Sequence, residues 1–284
     1  MSLDRLIEKI EKTQNPSVAG LDPKLAYVPE YIKEKCFEKY GETLKGAAKA
    51  LLEFNKGLID ALYDIVPAVK PQAAYYEMYG PAGVKALYKT QEYARSKGMY
   101  VITDGKRNDI GATMTAYAAA HLGTTQVEDV VVEPFGADAL TVNGYLGTDG
   151  IQPFAQDCSE RNKGIFVLVK TSNPSSGELQ NLLLENGTPV YEYMGGLVEK
   201  WGEPTAGRYG YSAVGAVVAI SGHPLLALPA ASRRMNERGE TGEGLPRIGF
   251  TLLGGYLMLC AMIIPHMYSS GYAGSGRVIN MYHS

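Results

Sequence analysis

The sequence predicts a (β/α)8 barrel that forms a single domain over residues 1–284. The chain has 284 residues, a normal length for one α/β barrel. Short apolar runs typical of buried strands alternate with helix-periodic segments, which indicates βαβ units and a parallel sheet. Charged or polar residues repeatedly follow the apolar runs. They therefore lie at the carboxyl ends of the strands, where such barrels hold their active sites.

Six strands and five helices are predicted from this alternation. Each strand is a short apolar run bounded by turn residues or charges, and each helix has apolar residues on one face. The strands are expected over residues 17–23, 67–71, 99–102, 137–143, 164–174 and 214–219. The helices are expected over residues 1–12, 46–65, 81–97, 110–122 and 189–201.

The regular alternation stops after Ala219. A seventh and an eighth strand are expected next, but a polar, glycine-rich stretch at 233–244 follows instead. Residues 248–265 then run for eighteen positions without a charge. A membrane span needs roughly twenty apolar residues, and several glycines dilute this segment. We therefore predict a buried strand or a pair of buried helices there, and no membrane association.

The composition narrows the function classes. Hydrophobic residues make up 45% of the chain and charged residues 20%, which is typical of a globular protein. The net charge is −3 without a dense basic stripe, so a nucleic-acid partner is not expected. The three cysteines and four histidines are scattered, which predicts no metal site and a reducing compartment. The first twelve residues lack the apolar core of a signal peptide, so the expected location is the cytoplasm.

The segment 104–109 is the most informative motif. Asp104, Lys106 and Asp109 directly follow the apolar run of the third strand. Side chains two apart on a strand share a face, so Asp104 and Lys106 should point the same way. A lysine between two carboxylates is stabilised in its charged form and is suited to donate a proton. The alternative is a surface charge run in which Asp109 caps the following helix.

Two further charged residues end neighbouring strands. Asp22 ends the first strand and Lys70 the second, and a proline follows each of them. The alternative interpretation is ordinary turn chemistry at a strand exit. In a barrel, however, the first three strands are neighbours. We therefore expect Asp22 and Lys70 to meet the residues of segment 104–109 at one mouth of the barrel.

The segment 171–174 follows the fifth strand and leaves two interpretations open. Thr171, Ser172 and Asn173 offer hydroxyl and amide groups to a polar ligand. Equally, Asn173 could cap a helix that has Pro174 at its first position.

At this point the motifs resemble those of a known family. Asp104-x-Lys106-x-x-Asp109-Ile110-x-x-Thr113 is similar to the signature of the orotidine 5′-phosphate decarboxylases. The strand ends Gly20-Leu-Asp22-Pro, Val69-Lys70-Pro-Gln and Thr171-Ser172-Asn173-Pro-Ser-Ser-Gly also resemble that family, in particular its bacterial type 2 subfamily. The resemblance covers about residues 1–219.

The resemblance implies an activity and an assembly. These enzymes convert orotidine 5′-phosphate to UMP and CO2 in de novo pyrimidine synthesis. They use no metal or organic cofactor, and they form homodimers with shared active sites. The resemblance further implies that Lys106 protonates C6 of the pyrimidine and that Asp104 lies against the departing carboxylate.

The remaining roles are implied in the same way. Asp109 and Thr113 would reach into the partner subunit's site. Asp22 and Lys70 would hold the ribose hydroxyls and the charge array. Ser172, with Asn173 beside it, would bind the substrate at the pyrimidine edge.

Residues 220–284 depart from the family pattern. The glycine-rich Gln-Gly loop expected after strand seven is absent from the sequence, and Ser275-Gly276-Arg277 is the nearest match to the expected phosphate-binding arginine segment. We hypothesise that this tail is either a strongly diverged end or the product of an altered reading frame. Two other functions stay open. Related sugar-phosphate lyases share the Asp-x-Lys-x-x-Asp core of the motif, and the divergent tail would suit a catalytically impaired barrel that binds nucleotides.

Overall fold

The computed structural model describes residues 2–219 and contains a six-stranded parallel sheet with strand order β1-β2-β3-β6-β7-β8. All six predicted strands are present, and β4 and β5 form a separate antiparallel hairpin. The (β/α)8 prediction is thus confirmed in class, with six barrel strands among the described residues. The strands are β1 (Val18–Leu21), β2 (Ala68–Pro71), β3 (Tyr100–Arg107), β4 (Thr125–Val127), β5 (Val130–Val132), β6 (Ala139–Val142), β7 (Gly164–Lys170) and β8 (Val214–Val218).

Helices alternate with these strands and cover the outside of the sheet. The five predicted helices are found as α1, α3, α5, α6 and α9, and their ends agree with the prediction to within a few residues. The helices are α1 (Ser2–Thr13), α2 (Glu30–Tyr40), α3 (Leu44–Leu62), α4 (Ala74–Glu77), α5 (Gly80–Ser96), α6 (Gly111–His121), α7 (Gln152–Arg161), α8 (Gly177–Gln180) and α9 (Val190–Gly202).

Sequence periodicity did not reveal α2 and α7, because each buries little apolar surface. Cys36 is the buried residue of α2, while Phe154 and Cys158 are those of α7. Without a continuous apolar stripe, a helix of this kind gives a weak periodic signal.

The core between the sheet and its helices forms two clusters, one over each half of the sheet. One cluster joins β1, β2 and β3 to the helices α2, α3 and α5. The other joins β6, β7 and β8 to α6, α7 and α9. Both clusters lie on the helix-facing side of the sheet. The opposite side of the central strands carries a third cluster, which includes Ala68, Tyr100 and Ile102.

Helix α1 closes the amino-terminal end of the strands. Its residues Leu3 and Leu6 pack against Tyr100 and Ala139, which begin β3 and β6. Arg5 Nη1 also lies 2.9 Å from Asp138 Oδ1. With this end covered, the carboxyl ends of the strands form the accessible mouth.

Within the described range, no helix is long and apolar enough to cross a membrane. Segment 248–265, Arg277 and the rest of the predicted tail lie outside residues 2–219, so their predictions stay untested.

Candidate active site

Strand alternation carries four polar side chains to the mouth of the barrel. Interior residues recur every second position along a strand. The apolar cluster beneath the site contains Val18, Ala68, Tyr100, Ile102 and Ala139. The same alternation, continued towards the carboxyl ends, leads to the site residues. These are Asp22 directly after β1, Lys70 on β2, Asp104 on β3 and Thr141 on β6.

Asp104 is the centre of the site, and both of its carboxylate oxygens are hydrogen-bonded. Lys70 Nζ donates to Oδ2 at 2.6 Å, and Gln72 Nε2 donates to the same oxygen at 3.0 Å. Lys106 Nζ donates to Oδ1 at 2.6 Å, and Thr141 Oγ1 donates to it at 2.8 Å. The predicted contact between Asp104, Lys70 and Lys106 is therefore present.

The two lysines differ in their access to a ligand. The Lys70 side chain is 5% exposed and that of Asp104 6%, so this ion pair is buried. The Lys106 side chain is 45% exposed. Lys106 therefore presents its ammonium group to the mouth, while Lys70 is enclosed beneath it.

A bulge in β3 sets the position of Lys106. Thr103 pairs with Leu140 of β6 and Arg107 with Val142, so four steps along β3 match two along β6. Lys106 lies inside this bulge with a φ of 48°. This left-handed conformation costs a non-glycine residue about 1–2 kcal/mol. The Lys106 contact is thus present, although the regular alternation used to predict it breaks down after Asp104.

The charges of the site shift the pKa of its carboxylates in opposite directions. Burial favours the neutral form of Asp104, but the nearby charges of Lys70 and Lys106 outweigh it and hold the pKa of Asp104 below its ordinary value. Burial dominates at Asp22 and raises its pKa, although Lys70 acts in the opposite direction. Asp22 Oδ1 is also buried without a hydrogen-bond partner among the described residues. It is therefore an acceptor available to a ligand.

Asp109 and Thr113 are not part of this network within one chain. Asp109 Oδ1 accepts a hydrogen bond from the amide of Ile110 at 2.8 Å, and Thr113 is exposed. The alternative that Asp109 caps the next helix is wrong. Helix α6 begins at Gly111, and its N-cap is Ile110 without a side-chain cap. Asp109 lies one position before the cap residue, and its carboxylate bonds the Ile110 amide instead of the first-turn amides.

Ser172 and Asn173 lie in an exposed loop after β7. Asn173 is the N-cap position of a 3-10 turn over Pro174–Ser176, as one of the two interpretations of this segment predicted. Its side chain makes no capping bond there and instead accepts a hydrogen bond from Thr171 Oγ1 at 2.6 Å. The exposed position leaves both residues accessible to a ligand.

Gln72 and Thr141 are the site residues that the sequence analysis missed. Gln72 lies two positions after Lys70, and Thr141 two after Ala139, so the interior alternation of β2 and β6 would have indicated both. A single hydroxyl or amide in an apolar strand carries no charge signal, and its partner here is more than thirty residues away. In residues 2–219, no group of three or more histidine, cysteine or acidic side chains is arranged to hold a metal ion.

Comparison with known proteins places the chain in a family. A family model for orotidine 5′-phosphate decarboxylase / HUMPS proteins matches residues 42–207. An orotidine 5′-phosphate decarboxylase of Caldicellulosiruptor saccharolyticus is 43% identical over 215 residues, which cover 76% of this chain and 70% of that protein. One from Rhodopirellula baltica is 44% identical over 209 residues, covering 74% and 67% respectively.

A solved structure agrees with the sequence relatives. The Leishmania donovani OMP decarboxylase has a TM-score of 0.58 and 28% identity, and the match covers 79% of this chain and 72% of that one. The chain therefore belongs to the orotidine 5′-phosphate decarboxylase / HUMPS family.

Proposed function

We propose that this chain decarboxylates orotidine 5′-phosphate to UMP and CO2, the last step of de novo UMP synthesis. The observation that carries the proposal is the ion pairing of Asp104 with an enclosed Lys70 and an accessible Lys106 at the mouth of a family barrel. The proposal further includes a single barrel domain over residues 1–284 and a cytoplasmic location.

The reaction develops negative charge at one carbon of the pyrimidine, C6. When the bond between C6 and the carboxylate breaks, the electron pair stays on C6 and CO2 departs. A preorganised cation beside C6 stabilises that negative charge in the transition state. Lys106 supplies this cation and then gives C6 its proton. Its accessible ammonium group, held by Asp104 Oδ1 at 2.6 Å, is suited to this task.

The other residues of the site bind the substrate and hold Lys106 in place. Asp104 holds Lys106 and lies against the departing carboxylate, while Lys70 keeps Asp104 ionised. Asp22 Oδ1, which is buried and has no hydrogen-bond partner among residues 2–219, accepts a hydrogen bond from a ribose hydroxyl, and Lys70 donates one to the ribose. In this proposal Ser172 and Asn173 contact the pyrimidine edge, and Arg277, outside the described residues, binds the phosphate.

A spectrophotometric assay on orotidine 5′-phosphate, run with and without EDTA, tests the activity. We expect turnover that persists in EDTA, because no step of the proposed chemistry uses a metal. Turnover abolished by EDTA would favour the related sugar-phosphate lyases. Binding of UMP without turnover of orotidine 5′-phosphate would indicate an impaired nucleotide-binding barrel.

We further propose a homodimer in which Asp109 and Thr113 complete the partner's site. Asp109 makes its hydrogen bond to the Ile110 amide rather than to the array, and Thr113 is exposed. Both residues belong to the short segment 108–113 that leaves the barrel directly after Arg107, the last residue of β3. Ile110 is 56% exposed in the same segment, which favours contact with another chain.

Mixing two inactive variants tests this sharing. Each variant, Lys106→Ala or Asp109→Ala, inactivates both sites of its own homodimer. A mixed dimer has one intact site, which takes Lys106 from one subunit and Asp109 from the other. Random pairing of subunits should restore about a quarter of the wild-type sites. Subunits are exchanged by mild denaturation and refolding, and sedimentation checks the dimer. A mixture no more active than its components, or a monomeric wild type, would contradict the shared site.

A further inference from the structure

We infer that Thr141 is a positioning residue for Lys106, acting through one hydroxyl that joins Asp104 to the bulge in β3. The inference deepens the proposed function, on which it rests for its kinetic consequence. Thr141 is fully buried on β6, so its hydroxyl is enclosed beneath the mouth of the site.

The hydroxyl makes two hydrogen bonds of opposite sense. Thr141 Oγ1 donates its proton to Asp104 Oδ1 at 2.8 Å and accepts the backbone N–H of Lys106 at 3.0 Å. A hydroxyl can do both, because it has one donor and two acceptor lone pairs. The backbone of Lys106 is thereby tied to the same carboxylate oxygen that holds its ammonium group, with 2.6 Å between Lys106 Nζ and Asp104 Oδ1.

The bulge explains why the Lys106 backbone needs the hydrogen bond to Thr141. Between Thr103 and Arg107 the regular pairing with β6 is interrupted, so a ladder hydrogen bond does not fix the Lys106 amide. Lys106 also has a φ of 48°, which non-glycine residues rarely adopt. Such a conformation persists only where the surroundings hold it. The Thr141 hydroxyl supplies that support from the neighbouring strand.

A valine and a serine at position 141 separate the hydroxyl from the packing. Thr141→Val keeps the shape but removes both hydrogen bonds, and Thr141→Ser keeps the hydroxyl but removes a methyl group. We expect valine to lower kcat by about 10- to 100-fold, since small misplacements of a reacting group have effects of this size. KM should change less than about threefold, and serine should return kcat to within about threefold of wild type.

Thr103→Val is the matched control. Thr103 is equally buried and next to Asp104, but its hydroxyl accepts a hydrogen bond from Gln91 on the other face of β3, at 2.7 Å. This variant should lower the melting temperature without changing kcat. If it lowered kcat as much as Thr141→Val, the effect would be general loss of packing and the inference would fail.

Amide hydrogen exchange at Lys106, measured by NMR, gives a readout without turnover. The hydrogen bond to Thr141 Oγ1 should protect this amide in wild type and in Thr141→Ser, and exchange should be faster in Thr141→Val. The inference would be overturned by an unchanged exchange rate in Thr141→Val. It would also be overturned if kcat of Thr141→Ser were as low as that of Thr141→Val. If the wild type did not turn over orotidine 5′-phosphate, the proposed function would be refuted. The exchange rate alone would then decide whether Thr141 holds the Lys106 amide.

Discussion

Replacing Lys106 by alanine is expected to lower kcat for orotidine 5′-phosphate by at least about 10⁴-fold. General acid catalysis contributes up to about 10⁴, and preorganised charge stabilisation about 10²–10³. The same ammonium group supplies both in the proposed mechanism, so its loss removes them together. The measurement is the initial rate at saturating substrate, followed by ultraviolet absorbance.

Two further variants show which property of Lys106 matters. Lys106→Arg keeps the cation, but a guanidinium holds its proton too tightly to donate it. It should therefore lose only the share of general acid catalysis, about 10²–10⁴-fold, and remain more active than the alanine variant. Lys89→Ala is the matched control, because Lys89 pairs with Glu92 on helix α5, on the outside of the barrel. It should retain wild-type activity. More than about 1% residual activity in Lys106→Ala would contradict the assigned role.

Fold stability should hardly change in Lys106→Ala, which keeps the kinetic result interpretable. The Lys106 side chain is 45% exposed, so its truncation opens no cavity in the core. Asp104 keeps Lys70, Gln72 and Thr141 as partners. An unchanged circular dichroism spectrum and melting temperature would therefore accompany the loss of turnover.

The sequence predicted those parts of the fold and site that depend on local patterns. Alternating apolar runs located the six barrel strands of residues 2–219, and the strand-end charges located Asp22, Lys70, Asp104 and Lys106. These signals are local, because a buried strand must be apolar whatever its neighbours are. The contact between Lys70 and Asp104 followed from strand adjacency in a barrel, and the 2.6 Å ion pair confirms it.

The features that were missed depend on pairing between distant segments. The bulge at Lys106 is defined by the register of β3 on β6, which single-strand periodicity cannot supply. Gln72 and Thr141 became site residues only when neighbouring strands aligned them with Asp104. The capping role of Asp109 was wrong by one residue, because the helix begins at Gly111 rather than at Ile110. Such end positions depend on cap geometry more than on composition.

Replacing Asp104 by asparagine is expected to lower the free energy of unfolding by about 3–5 kcal/mol, the usual result of removing one partner from a buried ion pair. Asparagine matches the size of aspartate and can still accept from Thr141. The cost therefore comes from the charge, because the Lys70 ammonium group, in a 5% exposed position, loses the carboxylate paired with it at 2.6 Å. Urea denaturation followed by fluorescence measures the change.

The pH dependence of stability tests the contribution of the Asp104 charge independently. The pKa of Asp104 in the folded protein lies below its ordinary value, because the attraction of Lys70 and Lys106 outweighs burial. Its contribution to stability is therefore fully present above the unfolded pKa of about 4 and is lost as the pH falls through the folded pKa. The stability difference between wild type and Asp104→Asn should shrink in that acidic window. A constant difference would contradict an electrostatic origin.

Removing both partners separates stability from catalysis. Lys70→Met/Asp104→Asn removes the buried ion pair as a whole, so the double variant should be more stable than Asp104→Asn, and the two changes should be non-additive. Activity should not recover with stability, because Lys106 has lost the carboxylate that holds it. Recovered turnover in the stable double variant would show that the array serves folding rather than chemistry. A buried ion pair that can be replaced without loss of stability, but not without loss of turnover, is retained for the reaction.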